Sequence, residues 1–257
     1  MLKNESSTAR DRALDDPRPA LPPIDVEEFR KVVRSRRSIR RFTDEEVPGR
    51  ILDDCLELAM LAPNSSNLQP WEFYVVSTPA IKQRLAEACL GQNAARTAPV
   101  LIGIVARTNT WRANSQRNLD EWPEEKRPGI VEKYYSRIAP LHYNQGPLGL
   151  FGLAKKAAGL AVGLRRPVPR GPYSPCEMKV WAAKSTALAA ENLMLAARAH
   201  GFDSCPMEGF DDHRVRKILG VPRDGIVIMV LALGRRAENG VYNRQYRFAP
   251  EDFIRRL

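Results

Sequence analysis

Three arginines and a serine lie close together in the segment 36–40, which reads RRSIR. The segment has no helical periodicity, and alternate side chains of an extended chain face the same way. Arg36, Ser38 and Arg40 are therefore expected to converge, with Arg37 between them. Forked guanidinium donors beside a hydroxyl group are well suited to binding a phosphate. The alternative interpretation is a solvated basic patch.

Three further stretches offer polar groups to a ligand. The loop 63–71, PNSSNLQPW, carries small amide and hydroxyl side chains that could contact a heterocycle. In the segment 205–210, CPMEGF, Gly209 would let the backbone come close to a bound ring. The segment 243–247, NRQYR, is basic. Each stretch also has a simpler interpretation: a turn, a connector between two helices and an exposed tail.

The remaining chemistry-bearing residues exclude several classes of enzyme. Four cysteines and three histidines occur, with no CxxC pair and no HExxH motif, so no metal site is expected. GxSxG, GxxxxGK[ST] and GxGxxG are also absent from the sequence. If the protein needs a cofactor, it does not hold it with those loops.

Length and composition suit a globular chain of one large or two small domains, with 257 residues, 44% of them hydrophobic. No apolar run is long enough for a membrane span, and the first residues lack the apolar core of a secretory signal. The cysteines are therefore expected to be reduced and the protein cytoplasmic. The net charge of +10 leaves a nucleic-acid partner open as an alternative.

The predicted elements describe an α+β domain. Strands are expected at 71–76, 99–106 and 226–233, because these runs are apolar or aromatic and β-branched. Helices are expected at about 26–36, 48–61, 79–89 and 182–200, and after Asp211 or Asp212. The helix 182–200 is apolar nearly all round and is expected to be fully buried. Residues 1–23 are expected to form a poorly ordered arm, with packing along a partner subunit as the alternative. The domain is expected to cover 24–257, with 107–175 as its irregular part.

The four polar stretches, taken together, resemble the FMN-dependent nitroreductase-like flavoproteins. The pattern consists of RRSIRRF, then APNSSNLQPWEFYVV, then AAENLMLAARAHGFDSCPMEGFD, and the resemblance covers about 29–250. It implies a nitroreductase-like fold, with a mostly antiparallel central sheet flanked by helices, in an intertwined homodimer. The resemblance is poor at 107–175, which is a divergent insert on the substrate side.

The resemblance also implies which residues bind the flavin. The first segment and Arg247 would hold the FMN phosphate, with Arg40 also near the N1/C2 carbonyl edge of the ring. The loop 63–67 would reach over the flavin from the second subunit, and the backbone at 206–209 would lie near flavin N5. The implied cofactor-binding residues are Arg36, Arg37, Ser38, Arg40, Pro63, Asn64, Ser65, Asn67, Gln92, Pro206, Met207, Glu208, Gly209 and Arg247. No side chain is implied to be catalytic, because the flavin carries the chemistry.

The sequence departs from the family pattern in two places. A basic residue often stands two positions before the C-terminal arginine, and here Gln245 occupies that position, with Arg244 as a candidate replacement. The stretch 151–166, FGLAKKAAGLAVGLRR, could place Leu153, Leu160 and Leu164 on one face beside basic residues. It is either a lid or dimer-packing element, or a helix that lies in a membrane interface.

The function implied by the resemblance is an FMN oxidoreductase. Hydride would pass from NAD(P)H to flavin N5 and then to a nitroaromatic, a quinone or a similar electrophilic acceptor. A same-fold flavoenzyme that carries out dehydrogenation or reductive dehalogenation is the alternative with the same cofactor. A basic nucleic-acid-binding protein is the alternative without one.

Overall fold

The computed structural model describes residues 22–257. The described residues fall into two units, 22–34 and 35–257. The first unit contributes helix α1, Val26–Ser35, whose start is capped by Asp25: the Glu27 N–H donates to Asp25 Oδ1 at 2.8 Å. The predicted arm 1–23 lies almost entirely outside the described residues, so the division into an arm and a domain from residue 24 stays a prediction.

A four-stranded antiparallel sheet forms the centre of the second unit, in the order β1-β2-β4-β3. Its strands are β1, Trp71–Val76; β2, Val100–Arg107; β3, Asp203–Met207; and β4, Gly225–Gly234. Register pairs Phe73 with Ile104, and Ile102 with Leu231. The predicted strands are confirmed to within one or two residues. Strand β2 is buried along nearly its whole length, as its unbroken apolar run predicts.

Helices cover both faces of the sheet. One face packs against α2, Gly49–Met60, and α9, Pro175–Ala199, and the other packs against α3, Pro79–Ala88, and α10, Asp212–Leu219. Capping residues set the starts of two of these helices. Pro48 is the cap of α2 rather than its first residue, and Asp211 caps α10 by accepting from the Arg214 N–H at 3.1 Å. Gly220 ends α10 with a left-handed φ of 67°.

Helix α9 is longer and less buried than predicted. It begins at Pro175 instead of Ala182, because Ser174 Oγ accepts from the Glu177 N–H at 3.2 Å and Pro175 suits the first turn. The prediction of full burial is wrong, since Val180 and Leu188 are exposed. The helix is central to the fold, but one side of it faces outward.

The prediction of an irregular segment at 107–175 is wrong. The segment contains α5, Trp111–Asp120; α6, Gly129–Lys133; a π-helical turn, Tyr134–Ile138; α7, Ala139–Tyr143; and α8, Leu150–Gly163. Prolines and glycines separate these helices, and α6 and α7 are too short for apolar periodicity to show, whereas α8 matches the apolar face noted at 151–166. The remaining short elements are α4, Asn93–Thr97, and 3₁₀ turns at Ser65–Asn67, Pro147–Gly149 and Pro250–Asp252.

Strand β3 was also missed, because the sequence there predicts a connector between helices. Pro206 cannot donate a hydrogen bond, which argues against a strand inside a sheet. The structure resolves the conflict by placing β3 at the edge of the sheet, where β4 is its neighbouring strand and an isolated bridge meets it at Ser204 on the other side. Within residues 22–257, no helix combines the length and the apolar character needed to cross a bilayer.

Candidate functional site

The segment 36–43 is fixed by backbone hydrogen bonds on both sides. Ser38 forms a parallel bridge with Ser204 of β3, and the Ile39 N–H donates to the Ser204 carbonyl at 3.0 Å. On the other side, the Arg40 N–H donates to the Gly240 carbonyl at 2.7 Å. Ile39 is completely buried. The neighbouring side chains of this extended segment are therefore directed away from the core.

The segment lines one cavity of about 380 Å³, here called the arginine cavity. The other wall is the C-terminal segment 241–247, and Arg37 Nη2 donates to the Asn243 carbonyl across the cavity at 2.5 Å. Arg36, Ser38 and Arg40 all line this cavity, and so does Arg37, which simple alternation would place on the other side. The arginines and the serine that line the cavity are Arg36, Arg37, Ser38, Arg40, Arg244 and Arg247.

Positive charge in the arginine cavity is largely uncompensated. Arg36 lies 3.7 Å from Glu191, which is a loose ion pair. Among the described residues, no carboxylate lies within 4.0 Å of Arg37, Arg40, Arg244 or Arg247. A concave site with several guanidinium groups that lack a carboxylate partner attracts an anion, and forked donors favour a phosphate. Arg244 lines the cavity together with Gln245, so it is placed to replace the missing basic residue.

A buried ion-pair network anchors this wall, and the sequence reasoning missed it. Asp203, only 2% exposed, accepts from Arg236 at 2.7 and 2.6 Å and from Arg198 Nη1 at 2.9 Å. The hydrogen bonds from Arg236 to Asp203 are the main cause of the raised Arg236 pKa. The backbone of Arg236 also forms an antiparallel β-bridge with Phe42, in the segment 36–43. No local pattern reveals this network, because its members lie far apart in the sequence.

The predicted residues 206–209 and Gln92 do not line the arginine cavity, but hydrogen bonds of Gln92 and Asn93 connect them to it. Gln92 Nε2 donates to the Gly209 carbonyl at 2.7 Å, and the adjacent Asn93 donates to the hydroxyl of Tyr242, a cavity residue, at 3.0 Å. Met207 is buried in the core and pairs with Val230 of β4. Pro206 is partly buried, and Glu208 and Gly209 are exposed.

Electrostatic coupling also links Arg40 to strand β3. Burial raises the pKa of the Cys205 thiol, and the positive charge of Arg40 opposes that increase. Cys205 is completely buried and directly precedes Pro206. The charge of Arg40 therefore acts on β3 at the residue directly before Pro206.

The loop 63–67 lies elsewhere in the chain, and none of its residues lines the arginine cavity. The last two residues of the loop and Gln69 have left-handed backbone, with φ of 63° at Ser66, 49° at Asn67 and 43° at Gln69. The Gln69 N–H donates to Asn64 Oδ1 at 2.9 Å, which closes the turn. One chain therefore does not bring together all the residues that the resemblance groups.

Tyrosines and asparagines of the insert hold this loop in place. Tyr143 Oη is 2.8 Å from Ser65 Oγ and 2.9 Å from Ser66 Oγ, and Tyr135 Oη donates to the Ser66 carbonyl at 3.1 Å. Asn118 Nδ2 donates to the Asn67 carbonyl at 2.9 Å. Burial is the main cause of the raised Tyr143 pKa, so this phenol is a neutral hydrogen-bonding group. The residues of the insert could not be found from the family pattern, which is weakest there.

A second cavity of about 1000 Å³, here called the edge groove, runs along the outer side of β1. It is lined by Trp71–Tyr74 of β1 and by residues of α2 and α5, and it includes Asn67. Arg107 at its margin is paired with Glu72 and, at 3.0 Å, with Asp224. The aromatic lining and the unpaired edge of β1 are features of a surface that another chain can cover.

Residues 22–257 contain no group of three or more His, Cys, Asp or Glu side chains arranged to hold a metal ion. All four cysteines are free, and three of them are buried. The site is thus built from arginines, amides and backbone groups.

Sequence comparison places this architecture in a known family. The nitroreductase family model matches residues 33–235, and the chain belongs to that family. The family predicted from the sequence motifs is confirmed.

Individual relatives agree with this membership. The chain is 32% identical to an NADH dehydrogenase of Thermus thermophilus over 220 residues, which cover 86% of this chain and 91% of the relative. It is 30% identical to a 4-nitrobenzoate reductase of Nocardioides, with 89% of this chain and 87% of the relative covered.

Solved structures confirm the fold. A Bacillus subtilis nitroreductase superposes with a TM-score of 0.69 at 23% identity, covering 91% of this chain and all of the other. An Exiguobacterium sibiricum nitroreductase in complex with FMN superposes with a TM-score of 0.66 at 23% identity, covering 93% of this chain and all of the other. The predicted nitroreductase-like fold with its antiparallel sheet is therefore correct.

Proposed function

We propose that this chain is an FMN-dependent oxidoreductase that takes hydride from NAD(P)H and delivers it to an electrophilic acceptor. The single observation that carries the proposal is the arginine cavity, where four guanidinium groups lie without a carboxylate partner in the described chain. The FMN-bound relative and the names of the NADH- and NAD(P)H-dependent relatives support the choice of cofactor and electron donor.

The residues present fit the phosphate end of FMN. Arg36, Arg37, Ser38 and Arg40 would hold it from one side, with Arg244 and Arg247 on the other. These groups donate hydrogen bonds and neutralise the phosphate charge, so no metal ion is needed at the phosphate.

Gln92 and the backbone of 206–209 would complete the part of the site that faces the ring. They adjoin the arginine cavity through the contact between Asn93 and Tyr242. Bound FMN supplies the hydride chemistry, accepting from a nicotinamide and reducing nitroaromatics, quinones or similar compounds. The chain's own contribution is to orient the flavin and to place the positive charge of Arg40 where negative charge develops.

A homodimer belongs to the same proposal, because the loop 63–67 lies away from the arginine cavity of its own chain. Two observations support it. The edge groove exposes aromatic and apolar side chains along an unpaired strand. Residues 246–253 include the exposed side chains of Tyr246, Phe248 and Phe253, a set complementary to such a groove. A cytoplasmic location, predicted from the sequence, is also part of this proposal.

A visible absorption spectrum of the purified full-length protein tests the cofactor directly. We expect a flavin spectrum, release of FMN identified by mass spectrometry, and bleaching of the spectrum by NADH or NADPH. Steady-state assays against nitroaromatics and quinones then identify the acceptor class. A colourless protein that takes up no added FMN contradicts the proposal. Light scattering would show two chains per particle if the dimer proposal is correct.

A further inference from the structure

Helix α8, Leu150–Gly163, packs through a face of glycines. A Cβ atom added at Gly152 would lie 1.9 Å from the Tyr173 carbonyl oxygen, and one at Gly159 would lie 2.7 Å from the Tyr173 hydroxyl. A Cβ at Gly163 would lie 2.3 Å from Arg170 Nη2. Spacings of seven and four residues place these glycines on one side of the helix. That side is therefore pressed against the segment 170–173.

A neighbouring face of α8, about 100° around the helix axis from the glycines, is an apolar stripe that the described residues leave uncovered. Its positions repeat at intervals of three and four residues, which is the spacing of one helix face. The exposed fractions of its leucines are 65% for Leu150, 65% for Leu153, 55% for Leu160 and 87% for Leu164. Leu148, just before the helix, is 99% exposed. Here these leucines are called the leucine stripe.

The surrounding sequence is strongly basic. Between Glu132 and Glu177 the chain contains seven Lys or Arg residues and no Asp or Glu, which accounts for +7 of the net charge of +10. This basic segment, 133–176, forms no ion pair within 4.0 Å among the described residues. Six of the basic residues are exposed: Lys133, Arg137, Lys156, Arg165, Arg166 and Arg170.

We infer that the leucine stripe and the basic segment dock on the surface of an anionic bilayer. Lys156 and Arg165 flank the stripe on either side at helical spacing. Leucines on such a helix enter the boundary between headgroups and acyl chains, while lysines and arginines extend to the anionic headgroups. Each basic side chain near the membrane surface adds to the attraction. The helix then lies in the plane of the interface and does not span it.

Charge argues against the same stripe of a second copy as the occupant. Packing of two stripes around a twofold axis places the same surface on both sides of the contact. Two sets of seven positive charges would then face each other without a carboxylate in either basic segment. An anionic lipid surface, by contrast, complements both the apolar stripe and its charge.

Sedimentation of the flavin-loaded full-length protein with vesicles tests the inference. The vesicles are phosphatidylcholine alone and an equal mixture of phosphatidylcholine and phosphatidylglycerol.

The apolar variant combines Leu153→Gln, Leu160→Gln and Leu164→Gln. The charge variant combines Lys156→Gln, Arg165→Gln and Arg166→Gln. The charge control removes three exposed basic residues elsewhere, with Arg84→Gln, Lys217→Gln and Arg223→Gln. Leu90→Gln, at a leucine that is 71% exposed, is the apolar control.

We expect binding to the phosphatidylglycerol vesicles only, and weakening of that binding by salt. Each insert variant should lose about tenfold or more in vesicle affinity, while both controls keep it within about twofold. All variants should keep the flavin spectrum, which separates this test from the test of the proposed function. The inference is overturned if the wild-type protein stays in the supernatant, or if the charge control loses as much as the charge variant. A leucine-stripe variant that turns a dimer into a monomer by light scattering also overturns it, since the stripe would then be a subunit interface.

Discussion

The arginine cavity and the basic segment 133–176 are both rich in positive charge, but they differ in shape and in what supports them. The cavity is concave, and its arginines are mounted on backbone that hydrogen-bonds to β3 and to the C-terminal segment. The basic segment is a set of short helices that expose leucines beside their charges. A concave cluster of forked donors selects a small anion, whereas a convex apolar and basic surface suits an extended anionic one.

The use of acidic residues separates the two regions further. Buried Asp203 pairs with Arg198 and Arg236 and thereby fixes the wall of the cavity. The basic segment contains no acidic residue at all. Charge in the cavity is thus positioned by a rigid network, while charge in the basic segment is carried on solvated side chains. The comparison predicts different consequences when single groups are removed.

Asp203→Ala should have the largest effect. The substitution leaves Arg198 and Arg236 without their buried partner, and breaking a buried pair of this kind costs about 3 kcal/mol of unfolding free energy. Urea denaturation measures the change. The control is Asp54→Ala, which removes the exposed carboxylate paired with His200 and should cost less than about 1 kcal/mol. Equal losses in the two variants would mean that the Asp203 network is not what fixes the cavity wall.

Arg40→Gln should have the next largest effect, on cofactor affinity. Loss of one charge-assisted hydrogen bond to a phosphate costs about 2 kcal/mol, or roughly 30-fold in the dissociation constant of FMN. Quenching of FMN fluorescence by flavin-stripped protein gives that constant. Arg41→Gln is the matched control, because Arg41 is exposed and does not line the arginine cavity. If both variants bind FMN like the wild type, the phosphate is held elsewhere.

Tyr143→Phe should have a smaller effect. The substitution keeps the buried ring but removes the hydroxyl that bonds both Ser65 and Ser66, at a cost of about 1 kcal/mol. We expect that decrease in unfolding free energy and, in the dimer, a severalfold weaker affinity for FMN. Tyr173→Phe is the control, since its hydroxyl donates to the exposed Pro169 carbonyl and makes no hydrogen bond to the loop 63–67. An unchanged FMN affinity for Tyr143→Phe would show that the insert does not position the loop for the cofactor.

The sequence was sufficient for the elements with uninterrupted local signals. Strands β1, β2 and β4 follow from apolar runs, and α10 follows from Asp211 and Gly220 at its two ends. The clustering of 36–40 with Arg247 came from the family resemblance, because no local pattern brings distant segments together. Strand β3 was missed because Pro206 is tolerated only at a sheet edge, and edge position is a property of the whole sheet.

The insert and the Asp203 network were beyond sequence reasoning for a different reason. Helices α6 and α7 are only five residues long, and prolines and glycines interrupt the insert, so only the apolar face of α8 was visible in the sequence. The glycines of α8 weaken it as an isolated helix, and only the contact with Tyr173 explains why they are there. Asp203 and Arg236 reveal their pairing only once β3 and the first segment lie side by side.

The smallest perturbation leaves the sequence unchanged and compares one thiol from each region. Cys205 lies buried beside the arginine cavity, and Cys176, at the end of the basic segment, is exposed. Burial raises the pKa of Cys205, and it raises the pKa of Cys55 to about 11 and that of Cys89 to about 12. Thiolate is the reactive form, so at about pH 8 an aromatic disulfide reagent should label Cys176 quickly and the others only on unfolding. Rapid labelling of Cys205 in the folded protein would show that the wall of the arginine cavity opens, and that the two regions differ less in rigidity than their hydrogen bonding indicates.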